Sequence, residues 1–532
     1  MGYYKDLREQ VAALESKGKL VRIKREINKD TELMPLVRLQ FRGLPESERK
    51  AFLFENVVDA KGKHFDTPVL VGSHAASRDV YAIGMKCEKD EIMDRWAQAR
   101  QNPIEPQMVD SGPVQEETHM GDGLLEHGGL EEFPIPLSTP GFDNAPYLTA
   151  ANWICKDPDT GIRNVGNYRG MIKSQTRVGI LNVPGKDLRT SWEKCRKMGK
   201  PLEAAIVIGP LTVVGYAAPV KLPYEVDELT VAGGLAGEPI QLVRCKSVDL
   251  EVPATAEIVL EGELPTDGME REGPFGEYTG YMASEEIGPY FNLKCVTHRK
   301  DPIFNVFISQ FPPSESSTLR STGEEANVYK FLRYDCGLPV VDVAVSEACS
   351  AAPFVVISMK KNHPSQAWQV LNGVVAMSPI RKFVIVVDDD IDPRNPESVN
   401  WALSWRVQPD RDIRVTKGMI SELDPSIVAP TEARTAYPIP SGSSALLIDA
   451  TTKWDYPPTS LPKKEFMEKA MKIWEEEGLP KLNMVKPWYG YSLGYWTEEF
   501  EEESKLALKG EHYVTGEKLA KQRKKTGSGL ES

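Results

Sequence analysis

Cysteine and histidine are both scarce, with seven of each in 532 residues. The cysteines (Cys87, Cys155, Cys195, Cys245, Cys295, Cys336 and Cys349) are scattered, odd in number and form no C-x-x-C pair. That pattern excludes a disulfide framework or a cysteine zinc module and fits a reducing, cytoplasmic setting. No histidine lies between His127 and His298. Long apolar runs are missing too, since none approaches the roughly 18 residues needed to span a bilayer. The opening MGYYKDLREQ lacks the apolar centre of a signal peptide. Positive charge is in deficit: 64 Lys+Arg face 77 Asp+Glu, for a net charge of −13. This argues against a nucleic-acid partner, which a basic face would serve, and against docking on anionic lipid. There is no G-x-x-x-x-G-K-[ST] phosphate loop, no H-E-x-x-H and no G-x-S-x-G elbow.

The remaining composition, 41% hydrophobic and 27% charged, is that of an ordinary globular protein. At roughly 150 residues per domain the length implies two to four domains. Leu7, Val11 and Leu14 share one face of a first helix, and Leu20–Lys24 alternates as a half-buried strand. Val69–Gly72 and a helix near 89–101 continue an α/β pattern, while 103–147, rich in Pro and Gly, reads as a long wrapping connection. From 148 a hairpin turns at Asp157-Pro-Asp-Thr-Gly161. Strands are expected near 177–183, 203–208, 212–217, 240–246, 255–263, 291–299 and 302–309, with helices near 188–199 and 226–236. This is a barrel-like or sandwich domain. From 317 the order becomes helix (317–335), strands (339–346, 354–359), helix (365–377), strand (382–388) and helix (397–406), an open α/β sheet. A helix over 461–477 has Ser460 as N-cap and Gly478 past its end. The tail carries an acidic run (498–503) and a basic run (518–525), and Gly527–Ser532 reads as an appended extension.

Gly233-Gly-Leu-Ala-Gly237 resembles half a dinucleotide fingerprint, but it falls late in a helix with no Rossmann strand before it, so helix packing explains it better. Asp388–Asp392 follows an apolar strand and reads as strand-end capping rather than a metal loop. Trp488–Tyr495–Trp496 marks an aromatic anchor onto the chain's own body or another subunit. The densest chemistry lies in Glu270–Tyr281. Between Glu272 and Glu277 two glycines and a proline force an irregular backbone, so these carboxylates project from a tight loop between strands. In a closed cleft such a pair divides its roles: burial raises one pKa to make a proton donor, while the other stays ionised beside a cation. Arg169, on the same strand face as Asn167, is the candidate cation, with a guanidinium that can hold a carboxylate or phosphate in bidentate fashion.

Asn164…Arg169, Pro253-Ala-Thr-Ala-Glu-Ile-Val-Leu-Glu-Gly-Glu263, Glu272-Gly-Pro-Phe-Gly-Glu277, Val387–Asp392 and Asn400–Pro409 together resemble the UbiD-type (de)carboxylase family. The order and spacing match from about residue 4 to Trp496. The resemblance implies a mixed α+β, α/β multidomain chain. Residues 1–120 would form an N-terminal α/β region, 121–316 a flavin-reductase-like split β-barrel that binds prenylated FMN, 317–496 a C-terminal α/β oligomerisation domain, and 497–532 a charged tail. It implies removal or addition of CO2 on an aromatic or α,β-unsaturated acid, free or as a CoA thioester. A carbanion on an sp² carbon has no π acceptor, so a cofactor must supply the electron sink. By the same resemblance Arg169 and Glu272 would pair and steer the substrate carboxylate, and Glu277 would be the acid in decarboxylation and the base in carboxylation.

The family's cofactor phosphate is anchored by a divalent metal (Mn²⁺, Mg²⁺ or Fe²⁺) on Asn, His and Glu ligands, with K⁺ nearby. Asn164 and Glu228 match the first and third ligands. No His occupies 179–187, where Asp187 could serve as a hard oxygen ligand or Lys186 could contact the phosphate directly. A separate prenyltransferase would supply the cofactor, and the assembly would be a homo-oligomer, dimer or hexamer. The alternative is an accessory, non-catalytic subunit of a multi-subunit carboxylase, which could dispense with the Arg–Glu–Glu set.

Overall fold

The structure is a computed structural model and describes residues 2–181, 186–283, 285–349, 353–378, 380–418, 424–427 and 444–522. The Gly527–Ser532 extension, the last residues of the basic run and part of the 179–187 stretch lie outside the described residues. The fold is mixed α+β, built on a four-stranded N-terminal sheet, a nine-stranded central sheet and a five-stranded C-terminal sheet. Among the described residues no helix is long and apolar enough to cross a membrane.

The first helix, Leu7–Ser16, is capped by Asp6 and buries Leu7, Val11 and Leu14, the face expected from the sequence. The N-terminal sheet runs Leu20–Ile23, Ala51–Phe54, Val69–Val71, Phe304–Val306. The last of these corrects the sequence reading. The strand expected at 302–309 leaves the barrel and pairs in parallel with Val69–Val71. A short strand buried along its whole length carries no periodicity to say which sheet it joins. A second correction concerns 212–217, expected as a strand from its β-branched residues. Thr212–Ala217 is a helix, buried at all six positions, and such packing overrides β-propensity.

The central sheet orders its strands Arg163–Asn167, Asn152–Lys156, Leu202–Ile208, Ile258–Leu264, Tyr290–His298, Arg177–Ile180, Gly170–Ser174 and Tyr147–Leu148, with Glu117–Met120 added beside Tyr290–His298. The path from Arg163–Asn167 to Gly170–Ser174 crosses six inter-strand steps, about 29 Å if the sheet were flat. Yet only Tyr168 and Arg169 join these two strands, a reach of about 11 Å. The sheet therefore curls into a half-barrel whose distant edges meet at Arg169. Trp153 Nε1 donates to the Tyr168 carbonyl (3.0 Å) and Asn167 Nδ2 to the Ala151 carbonyl (3.1 Å), fastening this seam.

Helix Glu228–Ala236 packs on Ile92–Gln101. A Cβ on Gly233 would meet the Ile104 carbonyl at 2.5 Å, and one on Gly234 the Ala99 carbonyl at 2.7 Å, so these glycines serve close helix packing. The C-terminal sheet runs Val340–Val345, Phe354–Met359, Phe383–Asp388, Ser444–Ala450, Ile413–Lys417. Asp388 and Asp390 pair with the buried Arg406, and Asp388 accepts from Thr452 N (2.6 Å), as expected of a strand-end cap. The helix expected over 461–477 spans Lys464–Glu476, and its N-cap is Lys463 rather than Ser460. Residues 459–463 stay outside the helix because the segment around Gly490 bridges to them: Gly490 N donates to the Pro462 carbonyl at 2.8 Å. The acidic and basic runs lie largely in helices Glu498–Leu508 and His512–Lys521, joined by Lys518–Glu499 and Lys518–Glu503 pairs.

Candidate functional site

The loop carrying Glu272 and Glu277 is two short ladders in series. Glu270–Glu272 pairs with Glu286–Gly288, then Phe275–Gly276 pairs with Met282–Ala283. Residues 277–281 close the tip, with Glu277 N donating to the Tyr281 carbonyl and Gly280 N to the Glu277 carbonyl, both at 2.9 Å. Lys173 and Arg177 of the barrel both hold Glu270, at 2.9 and 2.7 Å. This docks the loop over the seam.

Arg169 meets it there. Its Nε and Nη2 form a fork on the two oxygens of Glu272, at 2.9 and 2.5 Å, and its Nη1 donates to Glu277 Oε1. The Phe275 ring lies beneath the guanidinium at 5.3 Å and stacks on Tyr147 at 4.1 Å. Glu272 is fully buried, and the Arg169 side chain is only 9% exposed. Burial opposes the Arg169 charge, but Glu277 and Glu272 outweigh it and raise the guanidinium's pKa further. Burial also pushes the Glu277 carboxyl above its usual range, against the pull of Arg169 and Arg320. The three residues singled out from the sequence thus form one largely buried, charge-coupled cluster.

Four neighbours escaped the sequence reading. Asp143 is pushed up to about 6 by burial and accepts from Thr139 N at 2.6 Å. Asn144 Nδ2 donates to the Gly273 carbonyl at 2.9 Å. The Tyr147 phenol, buried beside Glu272, has its pKa raised. Arg320, from helix Glu315–Lys330, stacks over the Tyr278 ring at 4.1 Å. The first three come from the Pro/Gly-rich connection, which has no periodicity to flag them. Their one sequence signal is that a long irregular segment inside a compact chain is often functional.

Arg169 itself falls just past strand Arg163–Asn167, at the seam, rather than on its face beside Asn167, and the second group lies toward the start of that strand. Asn164 sits on Arg163–Asn167 and Glu228 opens helix Glu228–Ala236. Asp187 opens helix Asp187–Lys197, next to the exposed Lys186. Glu228 Oε2 accepts from Val165 N at 2.7 Å. Burial pushes the Glu228 carboxyl up to about 8, with Asp227 and Asp187 adding like charge. Asp187 is itself raised by burial, opposed by Lys186 and Lys221. The buried Nδ2 of Asn164 has no hydrogen-bond partner. An amide and two carboxyls of raised pKa are the donor set of a hard divalent metal, so these residues fit the metal the resemblance implies, with Lys186 and Lys221 the cations that act on Asp187.

This geometry has counterparts in known proteins. Residues 11–100, 107–311 and 317–450 match, in order, the N-terminal, Rift-related and C-terminal domains of 3-octaprenyl-4-hydroxybenzoate carboxy-lyase. An uncharacterized protein of Aquifex aeolicus (strain VF5) is 32% identical over 512 residues, covering 90% of this chain and 100% of its own. The UbiD-class enzyme HmfF from Pelotomaculum thermopropionicum, in complex with FMN, superposes with a TM-score of 0.75 at 32% identity, over 85% of this chain and 95% of that one. An evolved dimeric form of HmfF in complex with prFMN gives 0.75 at 32%, over 86% and 97%. The vanillic acid decarboxylase of Sedimentibacter hydroxybenzoicus in closed form gives 0.75 at 28%, over 90% and 100%. With all three domains matched in sequence and a half-barrel that superposes on UbiD-class enzymes along most of its length, the chain belongs to the UbiD family of carboxy-lyases.

Proposed function

We propose that this chain is a prenylated-FMN-dependent enzyme that reversibly removes or adds CO2 on an aromatic or α,β-unsaturated acid, free or as a CoA thioester. The observation that carries the reading is Arg169 held between Glu272 and Glu277 at the barrel seam. When bound, the prenylated flavin would supply the electron sink that no side chain offers. Asn164, Asp187 and Glu228 would hold a divalent ion (Mn²⁺, Mg²⁺ or Fe²⁺) at the cofactor phosphate, with K⁺ nearby and Lys186 close to the same group. The intact Arg–Glu–Glu set weighs against a non-catalytic accessory subunit.

The chain's own residues divide the work by their contacts. The Arg169–Glu272 fork, with two parallel hydrogen bonds, fixes the guanidinium plane. Nη1 is the exchangeable edge, where a substrate carboxylate could take the place of Glu277. Glu277, released from that contact in a site whose burial already favours its neutral form, would carry the proton that replaces CO2. In the reverse direction it would receive that proton. Phe275 and Tyr147 would wall the reacting centre from water. In the C-terminal third, Trp405, Trp454, Ile473 and Tyr495 stand 71%, 62%, 58% and 57% exposed. Apolar surface of this kind supports a homo-oligomer, which sedimentation analysis would measure.

The test is co-expression with a prenyltransferase that makes the cofactor, then a panel of aromatic acids and their thioesters assayed for CO2 release. A flavin absorption band and release from at least one acid are expected. Colourless protein that frees no flavin on denaturation would overturn the reading.

A further inference from the structure

The fold closes the histidine gap of the sequence. Antiparallel pairing of Glu117–Met120 with Tyr290–His298 sets His119 opposite Val296 and Glu117 opposite His298. The short helix Asp122–Glu126 then turns the chain back, and the rings of His119 and His127 stack 3.7 Å apart, 9° from parallel. His298 stands edge-on to His119 at 5.0 Å. Glu132, ending the turn Gly129–Glu132, reaches both buried rings: Oε2 lies 3.0 Å from His119 Nδ1, and Oε1 lies 3.3 Å from His298 Nε2. These residues occupy different elements from Asn164, Asp187 and Glu228.

Two independent observations point to a cation here. First, one ligand atom each from His119, His127 and Glu132 lie within 4.8 Å of one another. Ligands on a tetrahedral Zn²⁺ at 2.0–2.1 Å stand about 3.4 Å apart. His127 is exposed, so its ring can tilt out of the stack and close that difference. Second, His298 is 93% buried and aimed into the cluster. Its Nδ1 lies 2.6 Å from the Arg299 carbonyl. A carbonyl only accepts, so Nδ1 carries the proton, and in the neutral ring Nε2 bears the lone pair. That Nε2 has no hydrogen-bond partner and faces a carboxylate oxygen of Glu132. Two electron-rich atoms turned toward each other call for a positive charge between them, either a second proton on the ring or a metal ion. A histidine anchored through Nδ1–H to a backbone carbonyl is also the arrangement that orients a metal ligand.

We propose that His119, His127, Glu132 and His298 form a second divalent-metal site, nitrogen-rich and suited to Zn²⁺, that staples segment 117–132 onto the barrel strand Tyr290–His298. Three imidazoles and one carboxylate complete four-coordination, so the site is closed and structural rather than catalytic. It stands whether or not the Arg169 cluster decarboxylates anything.

The experiment uses the full-length protein, stripped with a chelator and re-equilibrated with Zn²⁺ or Co²⁺, in parallel with His127→Ala and His298→Gln. His127 is exposed, so its variant keeps the fold if the buried His298 variant does not. The wild type should bind one more equivalent of Zn²⁺ than either variant and show the visible bands of tetrahedral Co²⁺. Its melting temperature should rise with Zn²⁺ while those of the variants stay put. Equal metal content in the wild type and His127→Ala, with no tetrahedral Co²⁺ band, would overturn the site and leave a protonated His298 paired with Glu132.

Discussion

Arg169 holds the buried Glu272 and the partly buried Glu277 at once, and its removal exposes what each side contributes. Arg169→Ala leaves Glu272 and Glu277 uncompensated in a site with almost no solvent, which should destabilise the fold by about 3–5 kcal/mol in urea titration and abolish CO2 release. Arg169→Lys should restore much of the stability but little of the activity, because an ammonium cannot reproduce the planar fork on Glu272. For Glu277 the sign of the pH effect follows from burial. Its folded-state pKa is raised, so the proton-donating form persists above the ordinary carboxylate range, and decarboxylation should fall as pH rises through that raised value. The same shift means that whatever stability its neutral form provides is full at low pH and declines as pH rises. Glu277→Gln should lower kcat by about 10² to 10⁴ and remove the falling limb of the pH–rate profile. A variant that kept the limb would place the donor elsewhere, with Asp143, raised to about 6, the next group to test. The motif residues were legible in the sequence because Gly and Pro around Glu272 and Glu277 announce an irregular, close-approach loop. Asp143, Asn144, Tyr147 and Arg320 were not, since folding alone brings them there.

At the scale of elements, the site depends on two features that local patterns do not display: the meeting of the sheet's edges at Arg169 and the seating of the 270–288 hairpin. The hairpin rests on Gln310, whose side chain Arg38 holds at 2.9 Å. A Cβ on Gly276 would lie 2.5 Å from Gln310 Cγ and 3.1 Å from Thr139 Oγ1. Gly276→Ala must therefore displace Gln310 or lift the hairpin from it. It should cost about 1–3 kcal/mol and lower kcat on the order of 10²-fold through displacement of Glu277. Unchanged kcat would show that the loop's seat does not position the acid. The sequence pattern located most helices and strands, but it misassigned Thr212–Ala217 and the partner of Phe304–Val306. Both segments are buried all round, and polarity alternation, the signal such patterns rest on, vanishes when no face meets water.

Across the whole molecule, the N-terminal region is tied to the C-terminal domain through a buried carboxylate. Glu325 receives Arg78 at 2.7 Å from the N-terminal region and Arg394 at 2.9 Å from the C-terminal sheet's loops, and also accepts from Val345 N at 3.0 Å. Glu325→Ala should cost about 3–5 kcal/mol, read as a lowered urea midpoint, because it leaves Arg78 without its carboxylate and Arg394 with Asp342 as its one remaining carboxylate. No such long-range pair could be read from the sequence, where partners 247 and 69 residues apart carry no common signal. In the proposed function, Arg169, Glu272 and Glu277 make this half-barrel a decarboxylase in which Glu277 returns the proton. The most direct measurement is deuterium at the vacated carbon when the cofactor-loaded enzyme turns over in D2O. One deuteron for each CO2 released by the wild type, with both rates lowered by about 10² to 10⁴ in Glu277→Gln, is the predicted result. Undiminished CO2 release and deuterium incorporation by Glu277→Gln would contradict it.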